Sequence, residues 1–169
     1  MKLQKTIIIV GNHHTPAIEL IRQLRSDPTT NWQIHYLAHV FPSETHLTHT
    51  IIPKLKVNFH PINSGKFDRR FISKTIMGIP LTIAGIFQSF FLIYKIKPDI
   101  VVSFGAYVSV PVIIAAKILS IKSIIHEQTL TNSLTTRFCA HFVDKIALSF
   151  KAILSLFSFF IPIPLSFTD

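Results

Sequence analysis

The chain has 169 residues, and its 17 lysines and arginines against 8 aspartates and glutamates give a formal net charge of +9. Only 15% of the residues are charged whereas 49% are hydrophobic, and the mean hydropathy is +0.45. So much apolar sequence excludes a disordered chain. So few charges argue against a plain nucleic-acid binder, whose basic excess usually lies on a strongly polar surface. A basic and apolar composition instead favours a protein that works at an anionic membrane surface.

Strand and helix patterns alternate along the chain. The β-branched run Lys5–Val10 predicts a strand buried on both faces. Thr15 and Pro16 are the expected cap and first residue of the next helix, and Ser109 and Pro111 form a similar pair for a helix to about residue 119. Further strands are predicted at 33–40, 56–62, 100–104, 122–126 and 145–150, and a further helix at 134–142. This alternation indicates an α/β fold, a Rossmann-like parallel sheet flanked by helices and joined by right-handed crossovers.

Two uncharged stretches raise the question of membrane spans. Residues 75–94 are about as long as the roughly 20 residues that cross a bilayer. Polar or helix-breaking residues interrupt this stretch at Gly78, Pro80, Gly85, Gln88 and Ser89. We therefore favour a kinked helix, partly in the core and partly at an interface, over a spanning helix. Residues 152–167 contain two prolines and leave the same question open, so we divide the chain into a domain at 1–150 and an atypical hydrophobic tail at 151–169.

Cations alternate with apolar side chains around the start of the first uncharged stretch. This basic patch consists of Lys66, Arg69, Arg70, Phe71, Ile72, Lys74 and Ile76. A solvated connector beside a core helix is one interpretation. We favour the other, a patch that contacts an anionic membrane surface.

Metal and thiol chemistry find little support in the sequence. His35 and His39 could share a strand face, and His46 and His49 a helical turn, but no cysteine or carboxylate converges on them with metal-site spacing. The one cysteine, Cys139, lies in a helical pattern without a recognisable base and is predicted to be a packed thiol. We expect neither a metal nor a cofactor.

Three polar segments follow predicted strands: residues 11–14, residues 105–107 and residues 126–128. Ligands of open parallel sheets bind beyond the carboxyl ends of the strands, so this edge is the predicted site. The first segment leads into a helix N-terminus that favours an anion such as phosphate, with a plain turn as the alternative. The third places an imidazole, a carboxylate and an amide in a row. It is suited to sugar hydroxyls or to a base beside one, with a structural hydrogen-bond network as the alternative.

The same segments carry a resemblance to the family 28 glycosyltransferases that extends over about residues 5–150. The family motif GGYVSGP appears as GAYVSVP at 105–111, and the motif HEQN appears as HEQT at 126–129. The glycine-rich first loop of the family is represented by Gly11, Asn12 and His13 with Pro16, although the loop here is shorter and has fewer glycines.

This resemblance implies the N-terminal half of a GT-B fold, in which two Rossmann-like domains enclose the active site. The implied activity is that of an inverting hexosyltransferase, which moves GlcNAc from UDP-GlcNAc to undecaprenyl-pyrophosphoryl-MurNAc-pentapeptide (lipid I) in peptidoglycan synthesis. The implied location is peripheral, at the cytoplasmic face of the plasma membrane. No counterpart of the donor domain follows Lys151, so the chain alone is expected to bind one substrate and catalyse little.

The resemblance also suggests roles for individual residues. His13 is the leading candidate for the catalytic base and Glu127 the second. The expected substrate-binding residues are Gly11, Asn12, Tyr107, His126, Gln128 and Thr129. Among these, Gly11 lets the backbone approach a phosphate, and Tyr107 and Gln128 position the sugar.

Two alternatives to a catalytic half stay open. One is a non-catalytic subunit that recruits a separate donor-domain protein to the membrane, and the other is an inactive truncated fragment. The expected partners are a lipid-linked sugar acceptor, UDP-GlcNAc (mostly through the missing domain or a subunit), an anionic membrane surface and a donor-domain protein, with no nucleic acid among them.

Overall fold

The structure is a computed structural model that describes residues 2–40, 52–65, 72–129, 133–150 and 165–167, with backbone only at 53, 72–75, 77 and 165–167. Within these segments it has seven strands and five helices. The strands are β1 (Leu3–Val10), β2 (Thr30–Ala38), β3 (Asn58–Pro61), β4 (Ile100–Ser103), β5 (Ser123–Glu127), β6 (Lys145–Leu148) and β7 (Leu165–Phe167). The helices are α1 (His14–Ser26), α2 (Ile52–Lys54), α3 (Ile72–Ile96), α4 (Ser109–Ile118) and α5 (Leu134–Cys139).

All seven strands form one parallel sheet in the order β3-β2-β1-β4-β5-β6-β7. Alternate residues of β1 enter separate hydrophobic clusters: Ile7 and Ile9 pack with residues of α1, and Ile8 and Val10 with residues of α3 and α4. The central strands are therefore buried on both faces, as their β-branched sequences require. The predicted Rossmann-like parallel sheet with flanking helices is confirmed.

The boundaries of several elements differ from the predictions. The strand predicted at 33–40 begins earlier, at Thr30, and the helix predicted at 134–142 ends at Cys139. The sheet also continues beyond residue 150, where β7 pairs with β6, and the division of the chain at that residue stays a prediction. A short apolar run of this kind cannot be assigned to strand or helix by its periodicity alone.

Neither predicted helix cap has the expected form. The N-cap of α1 is His13, which makes no side-chain capping bond, and Thr15 already lies in the first turn. Helix α4 begins at Ser109 with Val108 as its N-cap. The Ser109 hydroxyl instead donates to the carbonyl oxygen of Gly105, so it stabilises the preceding turn rather than the helix.

Helix α3 approaches its neighbours so closely that only glycine fits at the contacts. A Cβ atom at Gly85 would lie 2.0 Å from the carbonyl oxygen of Asn63 and 3.3 Å from the Cβ of Pro111. A Cβ atom at Gly65 would lie 2.0 Å from the carbonyl oxygen of Gly78. The glycines that interrupt the apolar stretch are therefore the surface by which α3 packs against the loop after β3 and against α4.

The polar residues of α3 face the same way. The Thr82 hydroxyl accepts from the amide of Gly65 at 3.1 Å, and Gln88 donates to the carbonyl oxygen of Pro61 at 2.7 Å. Ser89 is fully buried. Among the described side chains, the outer face of α3 exposes Ile76, Ile79, Ile83, Phe87, Phe91 and Tyr94, with Lys95 at its end.

Gly78–Ile96 is the one segment of the described residues that is long and apolar enough to cross a membrane, and 22% of it is buried. Its packed inner face agrees with the prediction that one side of this helix lies in the core, and the interfacial side stays a prediction.

Candidate active site

The predicted site edge lies where the order of strand connections reverses. The chain leaves β1 towards β2 on one side, and leaves β4 towards β5 on the other, which creates a crevice between the two loops. The loops touch: a Cβ atom at Gly11 would lie 3.3 Å from the carbonyl oxygen of Gly105 and from the Cβ of Phe104. Because Gly11 also has φ +142°, any other residue would be strained there.

Asn12 fixes the first loop to the end of β2. Its side-chain amide donates to the carbonyl oxygen of His39 at 2.7 Å, and its side-chain oxygen accepts from the amide of His39 at 3.1 Å. Both polar atoms of Asn12 are thus used within the protein. The geometry makes Asn12 a residue that positions the loop, and its predicted contact with substrate stays a prediction.

His13 projects from this loop and is exposed. The next residue, His14, is held in place: its Nδ1 lies 2.7 Å from the hydroxyl of Tyr36, which itself donates to the carbonyl oxygen of Gly11 at 2.8 Å. Since the only hydroxyl proton goes to Gly11, Nδ1 of His14 must carry the proton that it shares with Tyr36. Tyr36 thereby fixes the loop at both Gly11 and His14, and the exposed His13 lies between these two residues.

Two cavities meet at His13 and Gln128. The larger, of about 490 Å³, lies over the start of α1, and its lining consists of Asn12, His13, His14, Thr15, Pro16, Ile18 and Gln128. The smaller, of about 100 Å³, lies between the loops after β1, β4 and β5. Its lining consists of His13, Phe104, Gly105, Ala106, Glu127, Gln128, Thr129, Ser133, Thr135 and Thr136. The predicted residues His13, Glu127, Gln128 and Thr129 are therefore brought together.

Glu127 is buried and organises the loop that follows β5. One carboxylate oxygen accepts from the amide and the hydroxyl of Thr129 at 3.1 and 2.6 Å, and the other accepts from the amide of Ser133 at 3.5 Å. Burial raises the pKa of Glu127, but hydrogen bonds from Thr129, Thr136 and Ser133 outweigh it and hold the pKa below its ordinary value. This arrangement corresponds to the structural network considered as the alternative. It leaves Glu127 poorly suited to take a proton.

His126 and Tyr107 lie beside the two cavities rather than in them. The His126 ring packs edge-on against Phe104, and its Nε2 lies 2.9 Å from the hydroxyl of Ser149. Burial lowers the pKa of His126, and the charge of Glu127 only partly opposes this. The Tyr107 ring contacts His39 at a centroid distance of 5.6 Å. The substrate contacts predicted for these two residues stay predictions.

The turn after β4 is held by two serines. Ser103 donates to Ser109 at 2.6 Å and accepts from the amide of Gly105 at 3.2 Å. The backbone is left-handed at Gly105 (φ +75°) and again at Ala106 (φ +64°). Ala106 occupies the second glycine of the family motif, so this chain tolerates a strained residue where the motif has none.

Sequence reasoning missed the hydroxyl-bearing wall of the smaller cavity. Ser133 caps α5 by accepting from the amide of Thr136 at 3.0 Å, and Thr135 and Thr136 join it in the lining. The run TNSLTT, separated from HEQT by one leucine, was the available signal. Hydroxyl side chains at a strand-to-helix turn are suited to capping and to sugar or phosphate contacts.

The metal and thiol candidates have structural roles in the part of the chain that is described. Nδ1 of His35 lies 2.9 Å from Nε2 of His60, and Nδ1 of His39 lies 3.1 Å from the carbonyl oxygen of Ile62. His46 and His49 lie outside the described residues. Burial raises the pKa of the Cys139 thiol to about 12, as for an unreactive packed side chain.

Most of the predicted basic patch lies outside the part of the chain that the structure describes. Lys66, Arg69, Arg70 and Phe71 lie outside the described residues, as do the side chains of Ile72 and Lys74. Ile76 is 59% exposed on the outer face of α3.

Comparison with known proteins agrees with this geometry. The glycosyltransferase family 28 N-terminal domain matches residues 11–148. The chain belongs to this family. One curated relative, from Legionella pneumophila, is 36% identical to this chain over 154 residues, which cover 89% of this chain and 40% of the relative. Its name is UDP-N-acetylglucosamine--N-acetylmuramyl-(pentapeptide) pyrophosphoryl-undecaprenol N-acetylglucosamine transferase. The enzyme of the same name from Clostridium kluyveri is 35% identical over 150 residues, or 86% of this chain and 40% of the relative.

Solved structures show the same fold. MurG of Acinetobacter baumannii superposes with a TM-score of 0.70 at 20% identity, over 88% of this chain and 42% of that one. UDP-N-acetylglucosamine 2-epimerase of Rickettsia bellii superposes with a TM-score of 0.66 at 19% identity, over 99% of this chain and 44% of the epimerase chain. The fold is thus that of the N-terminal half of GT-B proteins, and the chain spans about 40% of the length of the curated relatives.

Proposed function

We propose that this domain binds the lipid-linked acceptor of an N-acetylglucosaminyltransferase and supplies the base that activates the acceptor. Two curated relatives at 36% and 35% identity bear the name of an enzyme that transfers N-acetylglucosamine to a pyrophosphoryl-undecaprenol acceptor. The remaining length of such an enzyme, or a partner protein, supplies the UDP-GlcNAc site. The reaction belongs to peptidoglycan synthesis.

The position of His13 carries this proposal. Its exposed side chain lies at the junction of the two cavities, at the switch point of the sheet. Ligands of open α/β sheets bind at this point. An exposed imidazole there can reach a bound hydroxyl without moving a loop.

The chemistry is a single displacement. His13 takes the proton of the acceptor hydroxyl while that oxygen attacks the anomeric carbon of the donor, and the bond from this carbon to the UDP oxygen breaks with its electron pair going to UDP. One displacement inverts the anomeric configuration. Gln128, which lines both cavities, holds sugar hydroxyls on either side of His13. Gly11 and Asn12 keep the loop close enough for its backbone to meet phosphate oxygens.

The outer face of α3 supports a second part of the proposal, peripheral binding of the domain to a membrane. Its inner face carries glycines and hydrogen-bonded polar residues, while exposed apolar side chains such as Phe87 and Phe91 (61% and 65% exposed) face outward. This orientation is the reverse of that in a core helix, and an apolar outer stripe of this kind fits the headgroup boundary of a bilayer. Together with the net charge of +9, it favours peripheral binding to anionic lipid at the cytoplasmic face.

Turnover by a chimaera tests the catalytic proposal. Residues 1–169 are joined to the donor half of the Legionella pneumophila relative, and transfer from UDP-GlcNAc to the lipid-linked acceptor is measured. Loss of a positioned base lowers rates by about 10²–10⁴-fold, and we expect a loss of that size in kcat for His13→Ala. His141→Ala removes another exposed imidazole, one that lines neither cavity; it is the matched control, with a rate close to that of the unaltered chimaera.

The same assay separates the open alternatives. An unaltered chimaera without turnover contradicts the catalytic proposal and favours an inactive fragment. Turnover that His13→Ala leaves unchanged removes His13 as the base. If the 169-residue chain alone binds UDP-GlcNAc but not the acceptor, the assignment to the acceptor half is wrong.

Vesicle sedimentation tests the membrane proposal. We expect the chain to bind vesicles that contain anionic lipid, and to bind less as salt rises because screening weakens surface charge interactions. The double variant Phe87→Ser, Phe91→Ser should lose most of this binding. Leu3→Ser, which removes a side chain 58% exposed on β1, is the control and should bind normally. Equal binding by both variants would contradict the role of α3.

A further inference from the structure

A third cavity, of about 230 Å³, lies between α4 and α5 and is not used by the proposed reaction. Val110, Leu134, Thr135 and Phe138 line it, so its walls are almost wholly apolar. Val110 is buried at the base, whereas Leu134 and Phe138 are 44% and 47% exposed. Large apolar side chains held at the mouth of a cavity indicate a binding site for an apolar group.

Thr135 lines this apolar cavity and also the smaller cavity of the candidate active site. The two cavities are therefore neighbours across one side chain. The smaller cavity offers the backbone of Gly105 and Ala106 and several hydroxyls, which suit a charged or polar group. A ligand that occupies both must carry an apolar chain directly beside a polar group.

We infer that the apolar cavity holds the proximal segment of the acceptor's polyprenyl chain, next to its pyrophosphate. This inference rests on the proposed function, which makes the acceptor a molecule of that form. It adds a lipid subsite within the domain, so that the acceptor is held by its chain as well as by its head.

The packing of α4 supports a lipid rather than a protein segment as the occupant. Val110 in the first turn of α4 lines the cavity, and the next residue, Pro111, packs against Gly85 of α3. The cavity is thus one helix away from the apolar outer face of α3, the proposed membrane contact. A peptide would bring backbone amides and carbonyls that need partners, and among the lining residues only Thr135 has a polar side chain.

Affinity measurements with two probes test the subsite. Farnesyl diphosphate has a polyprenyl chain on a diphosphate, and inorganic pyrophosphate has the same head without the chain. Both are titrated calorimetrically into the 169-residue chain without detergent or vesicles. We expect farnesyl diphosphate to bind at least about tenfold more tightly, since burial of a few methylene groups gives that ratio.

The variants Leu134→Ser and Phe138→Ser should each weaken farnesyl diphosphate binding by roughly three- to tenfold and leave pyrophosphate binding unchanged. Ile118→Ser is the matched control, because Ile118 is 60% exposed at the other end of α4. It should alter neither affinity. All three side chains are substantially exposed, so thermal unfolding should confirm that the variants are folded.

Each other outcome overturns the inference in a distinguishable way. Equal affinity for the two probes contradicts the lipid subsite and leaves the proposed function standing. Failure of both probes to bind contradicts the acceptor site itself. If Phe138→Ser instead abolishes self-association in sedimentation experiments and leaves farnesyl diphosphate affinity unchanged, the cavity belongs to an interface between copies of the chain.

Discussion

The loops after β1 and β5 border the same cavities but are built in opposite ways. In the first loop, His13 is exposed and makes no capping bond. In the second, Glu127 is 4% exposed, and both of its carboxylate oxygens accept hydrogen bonds from the loop. A base must keep hydrogen-bonding capacity for its substrate, whereas a saturated buried carboxylate fixes the shape of its surroundings. This contrast supports the proposed catalytic role of the first loop and a structural role for the second.

The largest expected difference between the loops is in stability. Glu127→Ala leaves the amides of Thr129 and Ser133 without their acceptor. Because hydrogen bonds to charged groups contribute about 1.5–3 kcal/mol each, we expect a loss of roughly 2–3 kcal/mol in the free energy of unfolding. His13→Ala changes an exposed side chain and should stay within about 0.5 kcal/mol of the wild type. Urea unfolding of both variants measures these values.

The reverse order of the two losses in unfolding free energy would contradict the roles given to the two loops. If His13→Ala is the more destabilising variant, the first loop is the structural one. Glu127→Gln supplies an intermediate case, because it keeps one acceptor oxygen, and its loss should be smaller than that of Glu127→Ala.

The pH dependence of the unfolding free energy tests the structural role of Glu127 separately. The pKa of Glu127 in the folded protein lies below its ordinary value of 4.5. Above pH 4.5 the folded state therefore gains from the ionised carboxylate, and this gain is lost as the pH falls through the folded pKa. The difference in unfolding free energy between wild type and Glu127→Gln should be constant near neutral pH and shrink below pH 4.5. A difference that stays constant to pH 3 would contradict this account.

The half-buried His126, next to Glu127 in β5, titrates in a separate pH range. Burial lowers the pKa of His126 below 6.5, so the unfolded chain takes up a proton first as the pH falls below that value. Both wild type and Glu127→Gln should lose stability there. The loss should be larger in Glu127→Gln, because the charge of Glu127 partly opposes the lowering of the His126 pKa. The difference between the two curves should therefore widen below pH 6.5 before it shrinks below pH 4.5.

The sequence was sufficient for the fold and for the edge that carries the site. β-Branched runs such as Ile7–Val10 predict buried strands, and polar residues directly after several parallel strands meet at one edge of the sheet. It was not sufficient for the direction of individual side chains. Asn12 and Tyr107 lie within the right segments, but contacts with His39, distant in sequence, turn both towards β2.

The direction of side chains was also not predictable for helix α3, where a whole face is involved. Its composition predicts a partly interfacial helix, and its glycines and polar residues suggest interruptions. Only packing shows that these residues form one inner face, because Gly85 meets Asn63 and Pro111 from other parts of the chain. The hydroxyl wall of the smaller cavity was missed for a similar reason, since Thr135 becomes a site residue only through its closeness to Ala106 and Gln128.

The turn after β4 joins the two contrasted loops and offers the smallest expected effect. Gly105 touches Gly11 of the first loop, and a Cβ atom on it would lie 3.9 Å from the hydroxyl of Thr136 beyond the second. A left-handed residue other than glycine is strained by about 1–2 kcal/mol, and an added glycine costs about 0.5–1 kcal/mol in chain entropy. Ala106→Gly should therefore raise the free energy of unfolding by less than about 1 kcal/mol, and Gly105→Ala should lower it by about 1 kcal/mol. If Ala106→Gly is destabilising, the methyl group of Ala106 contributes packing between the loops that outweighs its backbone strain, and the turn then stabilises the cleft through its side chain rather than through its backbone alone.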